Sequence, residues 1–160
     1  PGAGRSSTSR ASRSVECSAS GVIVDASLVI DVVADPGSRG DAARAALAAV
    51  PAAEKLLAPG HFAFEVMSGL GAAANRPNHL LRTADLATAL QAAAALEIVI
   101  EGTPWSDVDR AWTLAQGSLR YPDALYVAAA ERHETALLTA DSRIERSGAL
   151  IGCEVITIQP

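Results

Sequence analysis

The stretch Gly21-Val-Ile-Val-Asp-Ala-Ser27 limits what this chain can become. Val22, Ile23 and Val24 form an apolar run too short and too continuous for an amphipathic helix, and all three are β-branched. Such a run fits a strand buried on both faces of a sheet. It ends on a carboxylate, Asp25, and Ser27 to Ala34 continues as a helix with apolar positions on more than one side. A carboxylate at the carboxyl end of a central strand lies on the sheet edge where ligands bind in α/β proteins. Desolvation there is costly unless a cation or a hydrogen-bond donor compensates it.

The alternation continues downstream. After the turn Asp35-Pro-Gly-Ser38, the pattern predicts a helix over 39–50 and a short strand over 53–58, closed by Pro59-Gly60. A helix over 61–74 carries Phe62, Val66, Met67 and Leu70 at helical spacing. An interior helix glycine costs about 1 kcal/mol against alanine, so Gly69 and Gly71 predict close packing on another helix or a second subunit. Arg76-Pro-Asn78 ends this segment; a helix over 79–95 and a strand over 97–100 follow. Thr103 as cap and Pro104 in the first turn open a helix running to 116. Pro122 and Asp123 open another over 121–131, then come a strand over 135–139, a helix over 142–147 and a strand over 154–158. Strands alternating with helices specify an α/β fold with a mainly parallel central sheet flanked by helices.

At 160 residues and 49% hydrophobic content the chain suits one domain with a real core. Aromatics are only 4%, so the packing must rest on Ala, Leu, Val and Ile, and Trp105 and Trp112 are expected in the core or at an interface. Residues 1–20 are rich in Ser, Arg, Ala and Gly and read as a disordered tail ahead of a domain over 21–160. With no initiating methionine, that tail is expected to include residues foreign to the native chain. No hydrophobic segment follows its basic residues, so it is not a secretory signal, and no apolar run approaches the roughly 18 residues that cross a bilayer. Cys17 and Cys153 define no disulfide framework, and reduced thiols in a cytoplasmic protein are expected. The net charge of −5 excludes nucleic-acid binding by bulk electrostatics. A polyanionic substrate would need a local basic surface or metal ions over the acids.

Four carboxylates are distinguished by placement. Asp25 and Asp141 each follow a predicted strand, Glu65 lies within an apolar helical turn, and Asp123 opens a helix whose body is Ala, Leu and Val. In a parallel sheet the two strand-end acids emerge on one edge, and helices starting there bring their first turns to it. Each alone has an ordinary structural explanation: a helix cap for Asp25 and Asp141, a helix-start acid for Asp123, an exposed helical residue for Glu65. Gathered together they repel, and a divalent cation with oxygen ligands, Mg²⁺ or Mn²⁺, resolves the conflict while leaving positions for phosphate oxygens. Other chemistries lack their signatures. His61, His79 and His133 are scattered without zinc-ligand spacing, neither cysteine forms a Cys-x-x-Cys pair, and no phosphate loop or nucleophile elbow is present.

Val-Asp-Ala-Ser27, Phe-Glu-Val-Met-Ser-Gly-Leu70, Pro-Asp-Ala-Leu-Tyr-Val-Ala-Ala-Ala-Glu131 and Leu-Thr-Ala-Asp-Ser-Arg-Ile144 resemble, in order, the four acidic motifs of PIN-domain ribonucleases. From about Val22 to Ile158 the chain is most similar to VapC-type toxins of bacterial toxin–antitoxin pairs. The resemblance implies a PIN-like three-layer fold and an endoribonuclease dependent on Mg²⁺ or Mn²⁺. Asp25 and Asp123 would be the core ligands, Glu65 would ligate directly or through water, and Asp141 would complete a second site. Ser27 and Thr139 match small polar positions near the acids that would orient a metal-bound water. A homodimer, an RNA substrate and inhibition by a small VapB-like antitoxin are implied as well. Pro122, where other residues are common, departs from the pattern. Two alternatives stay open: a catalytically silent PIN-like module that only binds RNA or protein, and a phospho-aspartate phosphatase. The phosphatase would want an acid two residues after Asp25, where Ser27 stands.

Overall fold

A computed structural model describes residues 21–77 and 81–160. The chain runs β1 (Gly21–Val24), α1 (Ala26–Ala34), α2 (Ser38–Ala49), β2 (Lys55–Pro59) and α3 (Phe62–Ala74). A 3₁₀ turn at Thr83–Asp85 leads into α4 (Leu86–Ala94), β3 (Val99–Glu101), α5 (Trp105–Ala115) and α6 (Tyr121–Arg132). The last elements are β4 (Leu137–Thr139), α7 (Ser142–Glu145) and β5 (Val155–Thr157). The sheet has five strands in the order β3-β2-β1-β4-β5, and every pairing is parallel. β1 is the central strand, all four of its residues are buried, and its neighbours set the register Ile23 to Leu57 on one side and Val24 to Leu138 on the other.

In this order the chain winds outward from β1 through β2 to β3, then returns to the other side of β1 as β4 and β5. The crevice between the carboxyl ends of β1 and β4 is therefore the topological switch point, where ligands bind in such sheets. Both predicted strand-end acids stand beside it, Asp25 after β1 and Asp141 after β4.

The core is aliphatic, as the composition required. α6 is its centre: Ala124, Tyr126, Val127, Ala128, Ala129 and Ala130 are all buried. Alanines on that helix let it lie close to the sheet and to α5. Two carboxylate–arginine clamps fix its far end. Arg132 Nε donates to both oxygens of the buried Asp107 on α5, at 3.1 and 3.0 Å. Arg110 on α5 forks onto Glu131 at 2.6 and 2.8 Å and also reaches the Leu150 carbonyl.

Several expectations change. The helix predicted over 79–95 exists only from Leu86; residues 78–80, including His79, lie outside the described residues, and Arg82 is extended. Trp105 and Trp112 are not core residues: they are 81% and 58% exposed, and Trp112 stacks on Tyr121 with centroids 5.9 Å apart. Thr103 does not cap α5, whose cap position is Pro104; its hydroxyl accepts instead from the Gly60 N–H at 3.2 Å, tying the ends of β2 and β3 together. Gly69 behaves as predicted, since a Cβ there would stand 2.2 Å from Ile30 Cδ1 on α1, whereas Gly71 faces open space. Cys153 is a free thiol, while Cys17 and the predicted tail over 1–20 lie outside the described residues.

The Asp107–Arg132 clamp makes a stability prediction. Asp107→Ala leaves a partly buried guanidinium with only Glu101 and the His133 ring as partners, and should lower the unfolding free energy by about 1–3 kcal/mol in urea titrations.

Candidate active site

At the switch point the backbone turns sharply from β1 into α1, and Asp25 is the residue at the turn. Its extended backbone and side chain make it the cap of α1: Oδ1 accepts from the Ser27 N–H at 3.1 Å. Oδ2 accepts two hydroxyls, Ser27 Oγ at 2.8 Å and Thr139 Oγ1 at 2.5 Å. Each hydroxyl also accepts a backbone N–H from the turn after β4, Ala140 to Ser27 at 3.1 Å and Asp141 to Thr139 at 2.9 Å. Ser27 and Thr139 thus stitch the end of β1 to the end of β4 through Asp25. Their observed work is to fix that carboxylate.

Asp141 repeats the arrangement one strand over. It caps α7, accepting from the Arg143 N–H at 2.9 Å. Asp123 stands in the first turn of α6, where the unpaired N–H groups favour an anion. Glu65 comes from the first turn of α3, where it accepts from the buried Tyr126 hydroxyl at 2.8 Å and lies 3.4 Å from His61 Nε2. All four acids line one hollow of about 500 Å³, with Arg39, Arg76, Arg120 and Arg143 on its walls. The structure therefore brings together every acid the sequence singled out.

Two cations sit among those acids. Arg120 Nε and Nη2 bond Asp123 at 2.9 and 3.2 Å, and Nη2 also reaches Asp141 at 3.3 Å. Arg143 folds back onto both oxygens of Asp141. The carboxyls divide accordingly. Burial pushes Asp25 above the usual carboxylate range, against the pull of the Thr139 and Ser27 hydrogen bonds, with a small further push from Asp123. Burial also raises Asp123; Arg120 opposes this and the Asp141 charge reinforces it. The Arg143 hydrogen bond holds Asp141 low despite its burial. For Glu65, burial pushes upward but His61, Tyr126 and Arg120 together bring the carboxyl below its ordinary value.

Do these residues suit a divalent ion? Among the described residues no three His, Cys, Asp or Glu side chains stand, as they are, in a group that would hold one. The donor chemistry nevertheless fits. The four side chains offer only carboxylate oxygens, as Mg²⁺ and Mn²⁺ prefer, and two of them are buried and pushed upward in part by a neighbouring acid, Asp25 by Asp123 and Asp123 by Asp141. The Arg120 guanidinium bridges Asp123 and Asp141.

Three contributors escaped the sequence reading. Tyr126 lies three residues after Asp123 and His61 four before Glu65, so helical spacing alone could have drawn them in. Arg120 carries no sequence signal that sets it apart from the other arginines, and only coordinates distinguish it.

An all-parallel 3-2-1-4-5 sheet with four acids at its switch point defines a class of α/β protein, and the chain belongs to the PIN domain family, whose model matches residues 22–150. Ribonuclease VapC3 of Mycobacterium tuberculosis is 36% identical over 126 residues, which are 79% of this chain and 86% of that protein. Solved structures share the fold. VapC20 of Mycobacterium tuberculosis, a toxin that cleaves the sarcin-ricin loop, superposes with a TM-score of 0.62 at 16% identity over 87% of this chain and 99% of that one. VapBC2 of Rickettsia felis, bound to a DNA fragment from its promoter, gives 0.63 at 9% identity over 86% and 98%. A toxin–antitoxin complex from Klebsiella pneumoniae gives 0.56 at 24% identity over 85% and 96%. Among the described residues no helix is long and apolar enough to cross a membrane.

The raised Asp25 carboxyl carries a sign. Because its folded value lies above its unfolded one, ionisation disfavours the folded state above that pH, and the penalty disappears as pH falls through the folded value. Asn at position 25 keeps the cap carbonyl, and both hydroxyls can turn to accept from its amide. Metal-free Asp25→Asn protein should therefore melt a few degrees above the wild type at neutral pH and lose that advantage in acid, as read by calorimetry.

Proposed function

We propose that this chain is an endoribonuclease, hydrolysing RNA phosphodiester bonds with Mg²⁺ or Mn²⁺, and the toxin of a toxin–antitoxin pair. A small VapB-like antitoxin would neutralise it, and the working form would be a cytoplasmic homodimer. One observation carries the reading: Asp25, Glu65, Asp123 and Asp141, scattered along the sequence, line a single hollow in a PIN-family chain 36% identical to a ribonuclease.

Asp25 and Asp123 are the core ligands in this reading, Glu65 joins them directly or through water, and Asp141 completes the set. The bound ion would supply a water of lowered pKa and positive charge against the developing negative charge of the phosphodiester. The remaining work belongs to the protein. Ser27 and Thr139 hold Asp25 in one orientation at the wall of the hollow. Tyr126 and His61 hold Glu65 ionised. A guanidinium on the walls that can leave its carboxylates would meet the phosphates, which an acidic chain could not otherwise attract.

Two measurements test this. Purified protein incubated with RNA should cleave it in Mn²⁺ or Mg²⁺ and stop in EDTA, and Asp25→Asn or Asp123→Asn should reduce the rate by roughly a hundredfold or more while remaining folded. RNA retained without cleavage under all metal conditions would instead identify a silent binding module. Induced expression of the wild type should arrest host growth, with Asp25→Asn harmless; unaffected growth alongside verified soluble protein would remove the toxin assignment and leave the nuclease standing.

A further inference from the structure

Four arginines line the hollow, and they are not equivalent. Arg39 is spent on Asp31, with Nη2 2.8 Å from both carboxylate oxygens, and Asp31 is not one of the four acids. Arg143 hydrogen-bonds Asp141 and none of the other three acids, although its charge also falls on Asp123. Arg120 is the guanidinium that bonds two of the four, Asp123 and Asp141, across the gap between α6 and β4. Its charge also falls on Glu65. A cation placed among these acids is what an ion would otherwise be.

The backbone of Arg120 is pinned, but its side chain is not. Arg120 occupies the cap position of α6, and its carbonyl accepts from the Ala124 N–H at 2.9 Å. Its side chain is 58% exposed, against 10% for Asp123 and 14% for Asp141. Side-chain rotation alone can therefore swing the guanidinium outward while both carboxylates stay in place. Swung out, it remains tethered at the rim of the hollow, and its planar fork matches two phosphate oxygens.

We infer that Arg120 exchanges partners: it lies on Asp123 and Asp141 in the metal-free protein, yields them when a divalent ion binds, and then grips a phosphate of the substrate. The inference rests on the metal-dependent nuclease reading and gives that reading a positioning residue. It also accounts for four acids that do not yet form an ion cage: the guanidinium holds them apart from one, and keeps the metal-free cleft folded against its own repulsion.

The consequence is a pair of effects of opposite sign at one position. In calorimetric titration without RNA, Arg120→Gln should bind Mn²⁺ about tenfold more tightly than the wild type, because no guanidinium has to leave. In saturating Mn²⁺, the same variant should bind a hydrolysis-resistant phosphorothioate RNA oligonucleotide about tenfold more weakly. Arg120→Lys, which keeps the charge and loses the fork, should shift both affinities in the same directions by less. Arg39→Gln removes the same charge from the same hollow and should leave Mn²⁺ affinity unchanged. Unaltered or weaker Mn²⁺ binding by Arg120→Gln overturns the exchange, as does equal tightening by Arg39→Gln, which would reduce the effect to bulk charge. Unaltered RNA affinity overturns the phosphate role. Failure of Mn²⁺ to bind wild type and variants alike would overturn the metal-dependent reading with it.

Discussion

The cleft depends on holding one carboxylate, Asp25, inside the protein in a fixed orientation. A buried anion costs several kcal/mol when unpaired, and among the described residues no cation bonds it directly; three hydrogen-bond donors compensate it instead. Two come from Ser27 in α1 and the third from Thr139 in β4. The donor set therefore exists only when β1 and β4 are paired in the observed register, Val24 beside Leu138. A slip of one residue would turn the Thr139 hydroxyl to the opposite face and leave Asp25 short of a donor. Site geometry and sheet register are one constraint.

Asp123 is positioned by a different device. α6 buries seven of its twelve residues, so little of its middle faces solvent, and its alanines let it pack closely. The clamps of Arg110 on Glu131 and Arg132 on Asp107 secure the carboxyl end to α5. With that end fixed, the amino end and its first-turn acid are presented at the switch point. Such clamps are worth little when exposed, but Asp107 is 4% exposed and Glu131 17%, so these restrain geometry as well as charge. Tyr126, on the same helix, extends the constraint to α3 through Glu65.

Periodicity and β-branching made the order of strands and helices legible, and the placement of four acids made the hollow legible. What escaped depends on interactions that no local pattern encodes. Arg82 is extended and Leu81 reaches the core from a loop, so an apolar residue inside a helix-like stretch was delivered without a helix. Trp105 and Trp112 share one side of α5, and their spacing fits a buried stripe as well as an exposed one; the inward side turned out to be Asp107, Ala111 and Leu114. Ser27 and Thr139 were recognisable as polar neighbours of the acids, yet the Thr139 bond to Asp25 is a contact between residues 114 positions apart. The partner of Arg120 was equally invisible, because a surface arginine in a sequence carries a charge but no direction.

Charge resolves the remaining tension, that of an acidic protein acting on a polyanion. The hollow is lined by six acids and four arginines, an excess of two negative charges. On the proposed metal-dependent reading, one divalent ion would bring that formal balance to neutral, and a guanidinium released from its carboxylates would make the rim locally positive toward phosphate. The net charge of −5 would then be no obstacle to RNA once the ion is bound. On the proposed reading the guanidinium that bonds Asp123 and Asp141 would turn to phosphate only as an ion replaced it, so substrate affinity would follow metal occupancy and binding and catalytic competence would arise together.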